Sequence, residues 1–373
     1  MFNFIKKIKN QILFVALTIV ALILFWSWPE NKSNYVTKTA SQTAPKASID
    51  TTVSSKKPSL KILDNGYHVF QTFNNCAPAA LSMALSYFGI NKSQEELATI
   101  LRPYNNLSGK NDDKSTPPEE LATQAENYGL IAYFRPGGDI EILKKFLDLD
   151  LPIIVRTLLY PDEDYAHYRV VKGYDEDKQE IIQDDSLEGK NLRLSYQEFL
   201  GLWKPFNYAY LIIAPIEKQS AIEKILGESL SWQTAWEKTL KKNLIDSDQN
   251  PNGFDENFNL AVTYYYLRQY SDSINVFEKI QNRLPKHTLW YQIEPLKSYF
   301  ELGNFEKVFS LTDKIFQDGN RAASELYLLR GQSFLSQNKI SEARAEFGKA
   351  VFYNINSTES QKNLESLSTL EQR

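Results

Sequence analysis

The 373-residue chain offers few side chains for covalent chemistry: one cysteine, three histidines (His68, His167, His287) and scattered carboxylates. Cys76 follows two asparagines and precedes the strongly apolar stretch Ala79 to Phe88, within FQTFNNCAPAALSMALSYFG from Phe70 to Gly89. Pro78 stands near a first-turn position, where the missing N–H and fixed φ of proline are tolerated. The pattern predicts Cys76 at a helix N-terminus, where unpaired backbone N–H groups and the helix dipole favour the nucleophilic thiolate. A thiolate needs a base, and the base needs an orienting partner. His167 opens the apolar run HYRVVKGY (167–174), and the next run, QEIIQ (179–183), leads into Asp184-Asp185-Ser186. Two adjacent strands joined by a short turn at 175–178 would bring a carboxylate beside the imidazole. Cysteine, histidine and carboxylate would then form a set able to carry acyl transfer through a thioester.

The elements that must position these groups lie in residues 59–217. One apolar helix (79–88) and two amphipathic ones (near 94–102 and 118–129) precede the short runs LIAYF (130–134), LPIIVRTLL (151–159), 167–174, 179–183 and YAYLIIA (208–214), which read as strands. Helices followed by strands predict an α+β domain. The pair Gly137-Gly138 reads as a turn.

The stretch from about Tyr67 to Pro215 resembles the double-glycine, bacteriocin-processing type of cysteine peptidase, which shares the papain-like fold. The residues that carry the resemblance are Gln71, Cys76-Ala77-Pro78-Ala79, His167-Tyr168 through Gly173-Tyr174-Asp175, and Asp185-Ser186. It implies that Cys76 attacks a carbonyl carbon and that His167 shuttles the proton. It further implies that Asp185 orients the imidazole, while Gln71 and the Cys76 backbone N–H hold the oxyanion. The chain departs from the family's pattern at three places. Ala77 replaces the usual glycine. Gln71 stands five positions before the cysteine where many relatives have six, which leaves Asn74 or Asn75 as alternative donors. Asp184 competes with Asp185, which is preferred because relatives have an Asp-Ser or Asp-Pro pair there. The phosphate-binding signature G-x-x-x-x-G-K-S/T is absent, so the chain does not read as a peptide exporter that processes its own cargo.

Residues 255–355 read as tetratricopeptide repeats, an all-α solenoid. One copy lies at 258–285, with Leu260, Ala261, Tyr264, Leu267, Tyr270, Ser273, Phe277, Ile280 and Pro285 at packing positions; others lie at 298–316 and 330–351, roughly 35 to 38 residues apart. Residues 218–254 supply connecting or capping helices, and 356–373 read as a polar tail. Such repeats present a groove for peptides or partner proteins. At the other end Lys6, Lys7 and Lys9 precede an uncharged run from Ile12 to Trp28. Its seventeen residues span roughly 25 Å, at the short end of a bilayer crossing. Residues 1–29 therefore read as a transmembrane signal anchor in a single-pass membrane protein, its N-terminus cytoplasmic and the bulk of the chain extracytoplasmic; a cleaved signal peptide is the alternative, and either way the bulk of the chain is exported. Residues 30–58, rich in Ser, Thr, Lys and Ala, read as a flexible linker.

Composition narrows the function classes. A formal net charge of −4 with no basic stripe gives no case for nucleic acid. A lone cysteine excludes an internal disulfide and any multi-cysteine metal site, and neither a metal nor a cofactor is expected. The resemblance implies a membrane-anchored cysteine peptidase that acts on a peptide or protein. Two other readings use the same residues: a catalytically silent peptidase-like binding module in a tetratricopeptide scaffold, and an acyl or peptidyl transferase with the same triad.

Overall fold

Side chains alternate across a β-strand, so a strand buried on both faces is apolar wherever its polar groups are not paired, as in the run Tyr210–Ala214. A computed structural model describes residues 59–104 and 116–370. The apolar run 12–28 and the linker up to residue 58 lie outside them. Among the described residues no helix is long and apolar enough to cross a membrane. Seven strands form one sheet: β1 (Leu60–Ile62), β2 (Ile131–Arg135), β3 (Ile153–Leu158), β4 (Ala166–Asp175), β5 (Glu180–Asp185), β6 (Gly189–Ser195) and β7 (Tyr210–Ala214). Their order is β2-β7-β3-β4-β5-β6, all pairs antiparallel, and β1 pairs with the far end of β4 through Leu60 opposite Asp175.

Each face of the sheet carries its own core. On one, Ile153, Val155, Val171 and Ile212 pack with Phe146 and Leu147 of α4 (Ile140–Asp148) and with Phe199 and Trp203 of α5 (Tyr196–Trp203). On the other, Ile154, Val170, Leu211 and Ile213 pack against α1 (Cys76–Ser86), α2 (Gln94–Leu101) and α3 (Pro118–Asn127). Helix α1 is apolar nearly all round, and Ala79, Ala80, Leu81, Met83, Ala84 and Leu85 are all fully buried. A helix of that composition gains its stability from burial on every side, so it becomes the pillar of this face. The observed elements exceed the expected ones: β1, β6, α4 and α5 belong to the sheet domain too. Helix α6 (Gln219–Leu226) also belongs with the sheet, because Ile222 and Leu226 enter the first core. The connecting segment expected at 218–254 therefore reduces to the stretch containing α7 (Trp232–Gln249).

The C-terminal region is a stack of helix pairs: α8 (Phe254–Tyr266) with α9 (Tyr270–Ile280), α11 (Glu294–Glu301) with α12 (Phe305–Gln317), and α13 (Ser324–Ser336) with α14 (Ile340–Tyr353). A single-turn helix, α10 (Thr288–Tyr291), sits between the first two pairs. The period is 35 residues. The second helices begin at 270, 305 and 340, and each turn places a residue in the left-handed region at Arg268, Gly303 and Asn338. The same period aligns the buried sets Ser273, Val308, Ala343 and Phe277, Thr312, Phe347. At Gly331 a Cβ would lie 2.5 Å from the ring of Phe347, so the absence of a side chain lets that pair close. The tail expected to be merely polar contains instead a helix, α15 (Thr358–Leu370), whose Leu367 is buried against Phe347 and Ala343. Its two apolar contact positions, Leu364 and Leu367, are enough to cap the open end of the stack, as a terminal repeat of a solenoid must.

Array and sheet domain meet across a polar seam. Asn243 of α7 donates to Asn207 Oδ1 (2.7 Å) and to Thr263 Oγ1 of α8 (2.9 Å), and Asp164 accepts from the backbone N–H and Nδ1 of His287 (2.8 and 2.7 Å). The packing of the last pair is testable: Phe347→Ala should lower the unfolding free energy of the array by about 3 to 5 kcal/mol, read from urea titration of the helical signal. A loss below about 1 kcal/mol would contradict the burial described.

Candidate active site

Cys76 is the first residue of α1, capped by Asn75 with φ −94°. Asn74 before it takes the left-handed conformation (φ 54°), which an asparagine accepts at little cost. Asn75 is buried and its side chain is committed: Nδ2 donates to Thr72 Oγ1 (2.7 Å), and Oδ1 accepts from Arg102 Nη1 (2.6 Å). Asn75 thus shapes the loop, and it is not among the residues that line the pocket of Cys76. Asn74 remains on the wall of the pocket. Ala77 lies inside the helix, away from the left-handed region, so the loss of the usual glycine strains nothing. Gln71 lines the same pocket. Its backbone N–H donates to Ser186 O (2.7 Å), and its Oε1 accepts from Ser186 Oγ (2.8 Å). With the oxygen fixed, the amide NH2 is the end left to face the pocket.

The register of β4 on β5 decides between the two aspartates. Arg169 stands opposite Asp185 and Val170 opposite Asp184, so the two carboxylates leave opposite faces of β5. Asp185 Oδ1 accepts from His167 Nε2 (2.9 Å), while Asp184 lies against Lys172 Nζ (2.8 Å) on the far side. The Asp185 carboxylate is wholly buried and surrounded by donors. Arg169 Nε reaches Oδ2 at 2.7 Å, and the N–H groups of Leu187 and Glu188 reach Oδ1 at 2.7 and 3.0 Å. Arg169 is itself buried, and it also donates to Thr157 Oγ1 and to the carbonyls of Leu158 and Leu159 (both 2.8 Å). His68, whose Nε2 donates to the Asp185 carbonyl (2.9 Å), closes the other flank. Neither Arg169 nor His68 was expected. A charged residue two places after the histidine, on the same face of a strand otherwise apolar, is the signal that could have found Arg169.

The thiol of Cys76 and the His167 ring line one pocket and act on each other's charge; since Nε2 faces Asp185, Nδ1 is the ring nitrogen left for the sulfur. The electrostatics follow from burial against pairing. Burial pushes the thiol up, but the hydrogen bond and positive charge of His167, the Tyr168 backbone N–H and the Arg102 guanidinium outweigh it, and the pKa falls below its ordinary value. Burial likewise opposes charge on His167, yet Asp185 and the thiolate raise it to about 9. Burial would raise Asp185, but His167 and then Arg169 hold it well below the carboxylate range. The arrangement favours a thiolate beside an imidazolium. It can do nucleophilic chemistry on an acyl carbon, with an N–H donor in hand for the leaving group.

A sheet flanked by helices, with a cysteine at a helix N-terminus sharing a pocket with a strand-borne histidine, defines a cysteine peptidase-like domain. Residues 61–211 match the model of the Peptidase_C39 like family; the chain carries a C39-like domain followed by tetratricopeptide-type helices. Solved structures resemble parts of it. A protein described as a C39-like peptidase from Bacillus anthracis is 18% identical (TM-score 0.36), over 42% of this chain and 97% of that one. The peptidase domain of Streptococcus ComA, a bifunctional ABC transporter of a quorum-sensing pathway, is 23% identical (TM-score 0.32), over 39% and 96%. A tetratricopeptide protein from Thermus thermophilus is 18% identical (TM-score 0.32), over 39% and 79%. No curated protein matches the chain.

The raised pKa of His167 means that its charge stabilises the fold fully below pH 6.5, a contribution lost as the pH rises through about 9. Asp185 works in the opposite sense: its contribution is present above the ordinary carboxylate range and is lost as the pH falls through its lowered value. In NMR titration the His167 ring should change charge around pH 9. Cys76→Ala should move that midpoint down, because burial is then opposed by Asp185 alone. A midpoint indifferent to the substitution would mean that the ring and the thiol do not interact.

Proposed function

We propose that this protein is an extracytoplasmic cysteine peptidase, held at the membrane by residues 12–28, with Cys76 as nucleophile, His167 as acid and base, Asp185 as the group that orients the histidine, and Gln71 as an oxyanion donor. The observation that carries the proposal is the placement of Cys76, at the start of α1, in one pocket with His167, whose Nε2 is hydrogen-bonded to the buried Asp185. The match of residues 61–211 to a peptidase family supports the choice of an amide as substrate.

The Cys76 thiolate attacks the carbonyl carbon of a peptide bond, forming a C–S bond while the C=O pair moves onto oxygen. The Cys76 backbone N–H, one of the unpaired donors of a helix start, and the Gln71 amide hold that oxyanion. Collapse expels the amine, which takes the proton from His167 and leaves a thioester. Water then attacks the thioester carbonyl, giving a proton to His167 and releasing the acid and the thiolate. Arg169 keeps Asp185 ionised throughout, so the imidazole retains one orientation. A silent binding module would need a defect in this set; Ala77, which stands where the family's pattern has glycine, sits in regular helix.

Labelling of Cys76 in the full chain by a peptidyl electrophile tests the chemistry. In the wild type the rate should persist below pH 7. In His167→Ala the thiol returns toward its ordinary pKa near 8.5, and the rate at pH 6.5 should fall roughly a hundredfold. Slow labelling that rises only near pH 8.5 and ignores the substitution would end the catalytic reading. For the anchor, membranes washed with alkaline carbonate should retain the full chain and release a chain lacking residues 1–29; release of both would remove the anchor from the proposal.

A further inference from the structure

Two cavities meet where the helical array faces the sheet. The smaller, about 260 Å³, contains Cys76 and His167; the larger is about 400 Å³. Arg156, Tyr168, Trp290 and Tyr291 line both, so they form one cleft with the thiol toward one end. One wall comes from the array. Trp290 and Tyr291 belong to α10, and Asn320 lies in the connection 318–323 between α12 and α13.

Asn320 is 0% exposed, lines the cavity that holds Cys76, and has no hydrogen-bond partner for either Nδ2 or Oδ1 among the described residues. A buried carboxamide without partners is costly, and such groups are normally satisfied by protein or by a bound molecule. Trp290 Nε1 and Arg156 Nε on the same cleft are likewise buried and without partners. The chemistry of these groups specifies their ligand. A carboxamide offers a donor and an acceptor side by side, and one residue of an extended peptide presents its N–H and C=O on one edge. In a helix those groups are already bonded internally, so the match selects an extended chain.

We propose that the helical array completes the substrate cleft: Asn320 pairs with the N–H and C=O of one residue of an extended peptide beside the scissile bond, and the Trp290 indole N–H gives a second hydrogen bond to the same strand. The inference rests on the peptidase reading, because it takes the occupant of the cleft to be the substrate. The larger cavity, walled by aromatic side chains that include Trp236 and Tyr266, then receives an apolar side chain of the same segment.

The test compares two thiol reagents on the full chain: an N-acetyl tripeptidyl vinyl sulfone, which must occupy the cleft, and iodoacetamide, which need not. In Asn320→Ala the ratio of the peptidyl rate to the iodoacetamide rate should drop about tenfold, as loss of a buried two-bond contact implies. Methylating the probe's amide nitrogens one at a time should reveal one position whose methylation slows the wild type about tenfold and leaves the variant no slower than before. Should Asn320→Ala fold poorly, Asn320→Asp, which keeps shape and acceptor but loses the NH2, should give a partial drop. An unchanged ratio in both variants, or identical responses to methylation at every position, would overturn the inference. Inertness of wild-type Cys76 to both reagents would instead sink the thiolate reading, and this inference with it.

Discussion

Everything in the site hangs on one buried carboxylate. Asp185 has no access to solvent, and an ionised group in that position is tolerable only when its oxygens are covered by donors. It therefore gathers a strand arginine, an imidazole and two backbone N–H groups around itself. Each of these partners is thereby located. The turn after β5 is drawn in by the Leu187 and Glu188 amides, Ser186 within it is brought to Gln71, and His167 is held with one nitrogen toward the sheet and the other toward Cys76. The geometry around Cys76 is a consequence of solvating one charge without water.

That arrangement also explains why burial does not suppress charge on Cys76 and His167. Thiolate and imidazolium are each opposed by desolvation, and neither would be charged alone in such surroundings. Their mutual attraction, backed by Asp185 on one side and Arg102 on the other, tips the balance. Arg102 is reached through the same loop: its guanidinium holds Asn75 and the Phe73 carbonyl (3.0 Å), so the cation that favours the thiolate also shapes the turn that presents it.

Much of this was legible from the chain. The apolar run after Cys76 marked a helix start, and the spacing of His167 and Asp185 across a short turn marked paired strands. Periodicity is a local property, and it reports local structure well. Register is harder: Asp184 and Asp185 are indistinguishable by type, and only the pairing of Arg169 with Asp185 puts one of them beside the histidine. Short or half-exposed elements such as β1 and β6 carry too few apolar positions to show. Helix α5 did carry a readable mark, the capping box formed by Ser195 and Glu198. The contribution of Trp290 and Asn320 to the pocket was beyond reach of any such reading. It depends on how two folding units pack, over a separation of more than two hundred residues from Cys76, and neither residue carries a pattern that announces it.

The 35-residue period has a final consequence, for the history of the molecule. Solenoids ordinarily gain and lose repeats with little penalty, because each unit touches only its neighbours. Here Trp290 and Asn320 lie in successive connections between helix pairs, and both face the thiol pocket. Inserting or deleting one pair upstream would carry both away from Cys76 by the height of a repeat. On the proposed reading of the cleft, the helix pairs that precede Asn320 are fixed in number by the distance to Cys76, while the capped end of the stack is free to gain or lose a pair.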